Sequence, residues 1–241
     1  INVYGYAPLP LAFMLTTLFC AGLALLFAIQ AAFFSLLRPA QMGLRTALFA
    51  CLWVVFEWLR TWLLTGFPWL FAGYTALDTA VAGWAPVIGV LGVSWLIAVT
   101  AAGVAEIVID RRVLSGITLA SWIVSIAGAG YLLGSFQWTE PTGEARMVTI
   151  YQPNIALEET WDRSNAPTLL NDFLDHAKAY APSSDLVVWP EGALPFYLDQ
   201  APSYLSELRR IAKNSEGTII TGMPTRAGNR RFNSIVSIGQ T

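Results

Sequence analysis

Charge is what this chain has least of. Only 12% of its 241 residues are Asp, Glu, Lys or Arg, where a soluble domain carries about a quarter; 55% are hydrophobic, and the mean hydropathy is +0.54. Basic runs are missing as well. Arg209-Arg210 and Arg230-Arg231 are isolated pairs in a chain of net charge −2, so no clustered cationic surface is offered to phosphates and nucleic acid is excluded as a partner. Cysteine is scarce: Cys20 and Cys51 both fall inside apolar segments, which rules out a disulfide framework. With one histidine there is no His/Cys cluster to hold a metal, and no glycine-rich loop precedes a helix to cradle a phosphate. No cofactor is expected.

What is abundant is apolar length. A helix needs about 20 apolar residues to cross about 30 Å of hydrocarbon, and residues 11–37, 44–64, 84–109 and 113–135 each meet that length, which predicts four membrane spans. The first span lacks a basic leader and a small-residue cleavage site and is too long for a secretory signal core. The charges are unevenly shared. Residues 1–140 hold five basic and five acidic residues, and the other 101 hold nine and eleven. The reading is therefore a membrane helical bundle over residues 1–136, a linker over 137–145, and a soluble domain over 146–241.

Arginines set the expected orientation. The first connection carries Arg38 and Arg45, the second (residues 65–83) none, and the third Arg111 and Arg112. The two basic connections are expected in the cytoplasm, and residues 65–83 and those after about 137 on the far side, the bacterial periplasm. Trp62, Trp69, Trp84 and Trp138 fall near that outer boundary, as an interfacial aromatic belt does. Within the spans, Glu57 and Arg60 are three apart on one helix and read first as a structural ion pair. Glu106 and Asp110 are expected to be matched by neighbouring Arg111 and Arg112. Gly89, Gly92, Gly103, Gly116, Gly128, Gly130 and Gly134 offer close-packing faces. Residues 65–70, Thr-Gly-Phe-Pro-Trp-Leu, are apolar yet not helical through Gly66 and Pro68, so they either anchor at the interface or line a cavity for an amphiphile.

The soluble part alternates strand and helix patterns: strand 146–150, helix 166–179, strand 186–189, helix 202–214, and strands 218–223 and 232–238 around a turn at 227–229. A β-α-β-α-β-β order implies an α/β layer fold, here a partial, single-sided sheet. His176 falls on the polar side of its helix with Asp172 and Asp175 and reads as solvated. Lys213 reads as a surface lysine. Cys20 and Cys51 read as small buried hydrophobes. Glu191 closes the apolar run 185–191, Asp-Leu-Val-Val-Trp-Pro-Glu, where a dry pocket would raise a carboxylate's pKa towards neutrality and fit it for proton transfer.

In order along the chain, residues 64–70 (Leu-Thr-Gly-Phe-Pro-Trp-Leu), Gly73-Tyr74, residues 151–155 (Tyr-Gln-Pro-Asn-Ile), Trp161-Asp162, residues 188–191 (Val-Trp-Pro-Glu), Thr221-Gly222 and residues 232–234 (Phe-Asn-Ser) resemble the apolipoprotein N-acyltransferases. These are bacterial membrane enzymes whose extracytoplasmic domain belongs to the carbon–nitrogen hydrolase (nitrilase) superfamily, with an αββα fold. The resemblance implies a two-step transfer. A Cys thiolate takes a fatty acyl group from a phospholipid donor, and the N-terminal amine of a diacylated apolipoprotein acceptor attacks the resulting thioester. It assigns the general base to Glu191, substrate contacts to Trp161, Trp69 and Phe67, and a place beside the active-site sheet to Asn233. In the family a Lys and then the Cys follow the strand corresponding to 232–238. Neither occurs in this sequence, so it is expected to be a fragment without transferase activity of its own. Two other readings stand beside it: a non-catalytic lipid-binding membrane scaffold, and a membrane-tethered amidase of the same superfamily.

Overall fold

The computed structural model describes residues 2–110, 113–156, 164–194 and 196–239. The chain divides into two compact units, one of residues 1–2 and 7–141, the other of residues 3–6 and 142–241.

After a single turn, α1 (Asn2–Gly5), the membrane unit consists of α2 (Leu9–Leu37), α3 (Met42–Arg60), α4 (Ala85–Asp110) and α5 (Val113–Gly134). Four helical segments among the described residues are long and apolar enough to cross a membrane. Pro10 sits in the first turn of α2, where its missing N–H is not needed. The second span ends at Arg60 rather than at 64. Beyond it Leu64 (φ 52°), Thr65 (φ 78°) and Gly66 (φ 91°) turn the backbone left-handed, and a helix cannot continue through such residues. Gly89, with φ 67°, breaks the start of α4.

Inside the bundle, polar groups find partners because hydrocarbon offers none. The Trp84 indole donates to the Ile126 carbonyl at 2.9 Å, and Trp122 donates to the Thr100 hydroxyl at 3.0 Å. Buried Glu106 is held by two hydrogen bonds from the Arg45 guanidinium on α3, a partner from another helix, while Arg111 and Arg112, which the sequence suggested, lie outside the described residues. Close packing uses only some of the glycines. A Cβ on Gly130 would lie 2.3 Å from the Ala80 carbonyl oxygen and one on Gly103 2.9 Å from Leu119, whereas Gly116 and Gly128 face open space, contrary to expectation. Cys20 and Cys51 are likewise exposed on the helix surfaces rather than buried.

The second unit is a four-stranded sheet of β1 (Val148–Ile150), β2 (Leu186–Val188), β3 (Thr218–Ala227) and β4 (Arg230–Ile238), in spatial order β1-β2-β3-β4. The first three strands run parallel and β4 returns antiparallel through a turn at Gly228. The connections carry α6 (Ala166–Tyr180) and α7 (Pro202–Asn214). Right-handed crossovers between parallel strands place both helices on one face, and a single core shows it: Phe173 and Ala177 of α6 and Leu205 and Leu208 of α7 pack on Val187, Ile219, Met223 and Ile238. The register fixes the other face as well. Ile150, Val188 and Ile220 align across β1–β3 on the side away from the helices, with Ile235 opposite Gly222, and Ile150 and Ile235 are exposed. Among the described residues of this unit, helices thus cover one face of the sheet, as its element order predicts.

Candidate functional site

The carboxyl ends of parallel strands are where an open α/β sheet presents its crevice, and the second unit puts its most informative residues there. The Val188 carbonyl accepts from Tyr151 N–H at 2.9 Å and the Trp189 N–H donates to the Ile220 carbonyl at 2.8 Å, so the sheet pairing runs one residue past β1 and β2 and fixes the direction in which Pro190 and Glu191 leave. Gly192, with φ 68°, then turns the chain. Behind Glu191 passes β3. A Cβ on Gly222 would lie 2.7 Å from Glu191 Cα, so only glycine allows this approach, and the Gly222 N–H donates to the Pro190 carbonyl at 3.3 Å.

The Glu191 side chain is exposed, not enclosed in a dry pocket as its apolar surroundings in sequence suggested. Its partner is Asn233 on β4, whose side-chain amide donates to Glu191 Oε1. Asn233 therefore sits inside a strand, paired across from Pro224, with its amide committed to the carboxylate rather than to a turn. Glu191 borders two concavities. One, of about 420 Å³, is lined by residues 152–155, Leu169, Phe173 and residues 190–193. The other, of about 410 Å³, lies on the sheet face away from the helices, against Val188, Ile220, Gly222, Asn233 and Ile235. Asn154 shapes the first with a left-handed backbone (φ 55°), which asparagine tolerates better than most residues.

Beside this site lies an aromatic cluster that sequence reading missed. The Tyr151 ring stacks on His176 at 3.9 Å between centroids and meets Phe173 edge-on. The Tyr151 hydroxyl donates to Asp172, and that bond, with burial, pushes its pKa up to about 12. His176 is half-buried, not solvated, and its Nδ1 accepts from the Trp189 indole at 3.4 Å. Burial pushes its pKa down. The period of α6 does put His176 beside Asp172 and Asp175, but Tyr151 at the end of β1 reaches over it, a contact with no signal in the local sequence. Lys213 is exposed on α7, as read. Trp161 falls outside the described residues. Among the described residues no group of three or more His, Cys, Asp or Glu is arranged to hold a metal.

In the membrane unit, the loop after α3 is built on Glu57 and Arg60. Glu57 Oε1 accepts from the Trp53 indole at 2.9 Å and from the Ala72 N–H at 2.8 Å, with the Arg60 guanidinium at 3.8 Å. The Arg60 carbonyl accepts from the Phe67 N–H at 2.6 Å, and its guanidinium lies over the rings of Phe27 and Phe71. The pair thus ties down both ends of the aromatic loop. Phe67 turns inward, edge-on to Phe19 at 5.3 Å, and lines an apolar groove of about 640 Å³ walled by leucines of α2, Leu63, Leu64 and Arg60. Trp69 does not line it and is two-thirds exposed.

Comparison with known proteins agrees with the motifs. The family described as "Apolipoprotein N-acyltransferase N-terminal domain" matches residues 1–103. Proteins named apolipoprotein N-acyltransferase are similar along the whole sequence. One from Pseudomonas paraeruginosa is 38% identical, covering 100% of this chain and 48% of its own length. One from Coxiella burnetii is 33% identical over 99% and 50%, and one from Methylococcus capsulatus 35% over 98% and 47%. The chain spans about half the length of the curated relatives it matches. Residues 1–103 are thus similar to the N-terminal domain of apolipoprotein N-acyltransferases, and the chain as a whole is similar to about half of a protein of that name.

Proposed function

We propose that the protein carrying this sequence moves a fatty acyl chain from a phospholipid, through a Cys thioester, to the N-terminal amine of a diacylglyceryl-cysteine lipoprotein, with Glu191 as the general base. The observation that carries this reading is the Glu191 carboxylate at the end of β2, fixed by Asn233 and bordered by two concavities. A carboxylate so placed can take a proton from an attacking group and return it to a leaving group. In the first step Glu191 accepts the thiol proton and the sulfur attacks the ester carbonyl. The carbon–oxygen bond to the lipid backbone breaks, and the proton passes to the departing alkoxide. In the second step the lipoprotein amine attacks the thioester, the carbon–sulfur bond breaks, and the amine proton returns by way of Glu191 to the thiolate. Residues 142–241 contain no cysteine, and Cys20 and Cys51 lie in α2 and α3, so none of these residues supplies the thiol.

The apolar groove beside Phe67 favours a lipid substrate over a soluble amide, because its walls offer almost nothing polar besides Arg60. Phe67 is assigned to acyl-chain contact and exposed Trp69 to the interface, and Trp161 is retained as a substrate-contact residue. The basic connections at Arg38–Arg45 and Arg111–Arg112 support a cytoplasmic location for those ends, and hence a periplasmic one for residues 142–241.

The test is Glu191→Gln in the full-length protein, supplied with phospholipid and a diacylated lipopeptide and assayed by mass spectrometry for the acyl-enzyme. Loss of the thioester at unchanged expression is expected. Near-normal turnover would remove Glu191 from the chemistry, and ammonia release from a small amide without lipid would replace the acyltransferase reading with an amidase.

A further inference from the structure

A second concavity, of about 310 Å³, lies at the other end of the bundle from the aromatic loop, around the α2–α3 connection. Arg45 on its wall and Arg60 at the groove are fifteen residues apart on α3, about 22 Å along a helix axis, and the two cavities share no lining residue. Its walls are of two kinds. Phe34, Phe49, Ala101, Ala105 and Ile109 form an apolar trough, which the small side chains on α4 keep open between the larger rings. Arg38 and the Arg45–Glu106 pair supply the polar part.

The charges in that polar part are unequal. Arg45 and Glu106 neutralise each other through two hydrogen bonds. Arg38, just past the end of α2, is exposed and forms no ion pair among the described residues. Among the described residues lining the trough, Arg38, which also acts on Glu106 through space, therefore leaves one surplus positive charge beside apolar side chains. A free anion would meet Arg38 and leave the trough wet, and a neutral lipid would fill the trough and leave Arg38 unmatched. An anionic amphiphile satisfies both, and a bilayer supplies one as a lipid.

We propose that this trough binds an anionic phospholipid, its phosphate on Arg38 and an acyl chain along Phe34, Phe49 and Ala105. This lipid is not the acyl donor, since it sits at the end of the bundle away from the Phe67 groove.

The experiment is native mass spectrometry of the full-length protein released from phosphatidylcholine nanodiscs with and without phosphatidylglycerol. The wild type is expected to retain phosphatidylglycerol over phosphatidylcholine by about fivefold, the preference that one arginine confers on an anionic lipid. Arg38→Gln should bring the two lipids to parity and Arg38→Lys should keep the preference. Ala105→Phe, which fills the trough, should lower retention of phosphatidylglycerol in a protein whose Arg38 is intact. Donor lipid held at the Phe67 groove is blind to all three changes, so this outcome is separable from the transferase reading. Equal retention of both lipids by the wild type, an Arg38→Gln protein that still discriminates, or displacement of the lipid by inorganic phosphate alone would each overturn the proposal.

Discussion

The two units treat a carboxylate in opposite ways. In the membrane unit Glu57 is 2% exposed and its Oε1 receives an indole N–H, a backbone N–H and the approach of a guanidinium. In the second unit Glu191 is exposed, and the one protein hydrogen bond described for it comes from Asn233. A buried charge with these donors gathered on one oxygen, its Oε2 buried without a hydrogen-bond partner among the described residues, is committed to structure, because any departure leaves an uncompensated ion in hydrocarbon. A carboxylate with open lone pairs and a single orienting contact remains able to exchange protons. Under the proposed function, the carboxylate at the loop after α3 holds, and the one at the end of the strand works.

The sharpest way to break that contrast is to exchange the roles experimentally. Glu191→Gln should lower turnover of the full-length protein by about a thousandfold, within the usual range for a general base, with no change in thermal unfolding. A stability loss with activity kept would reverse the assignment. Glu57→Ala should do the opposite, costing about 3 kcal/mol of stability through the stranded Arg60 and the orphaned Ala72 N–H. Tryptophan-monitored unfolding in detergent measures it, and an unchanged midpoint would mean that the pair carries no structural weight. Asn233→Ala removes one hydrogen bond to a charged group, about 2 kcal/mol or roughly thirtyfold in turnover, while Asn233→Asp should be worse because it sets two carboxylates together. If the alanine variant turns over normally, Asn233 does not orient Glu191.

The smallest effect is expected from His176. Its folded pKa is depressed by burial below the unfolded value of about 6.5, so the unfolded chain binds more protons in that interval. Stability is full above about pH 6.5 and falls as pH drops towards the folded pKa. His176→Gln should flatten that dependence in unfolding measured between about pH 5 and pH 8. A slope that persists in the variant would place its origin elsewhere.

Hydrophobic length alone made the membrane unit legible, since no other sequence property produces four apolar stretches of that size. The order of strands and helices was legible too, from period and turn residues. Boundaries were less so: span two stops at Arg60 because Leu64 and Thr65 adopt left-handed backbone, which neither residue type advertises. Long-range partners were invisible. Nothing local to Glu106 points to Arg45, sixty-one residues away, and nothing near His176 announces the ring of Tyr151. Glu191 stood out because it ends an apolar run, but its exposure did not, since burial at a strand's end depends on what the neighbouring strands place over it. Asn233 was named through the family motif, and only the β3–β4 register explains why its amide reaches the carboxylate.

The absence of a side chain at position 222 sets how far an engineer can go in this half of the molecule. Because the β3 backbone runs against the Glu191 main chain, even one methyl group there must displace the segment that holds the acid. A library randomised at that position and selected for function should return a single amino acid, while the exposed turn around Gly228, where an added Cβ meets nothing, should admit other residues that accept its backbone, asparagine first among them.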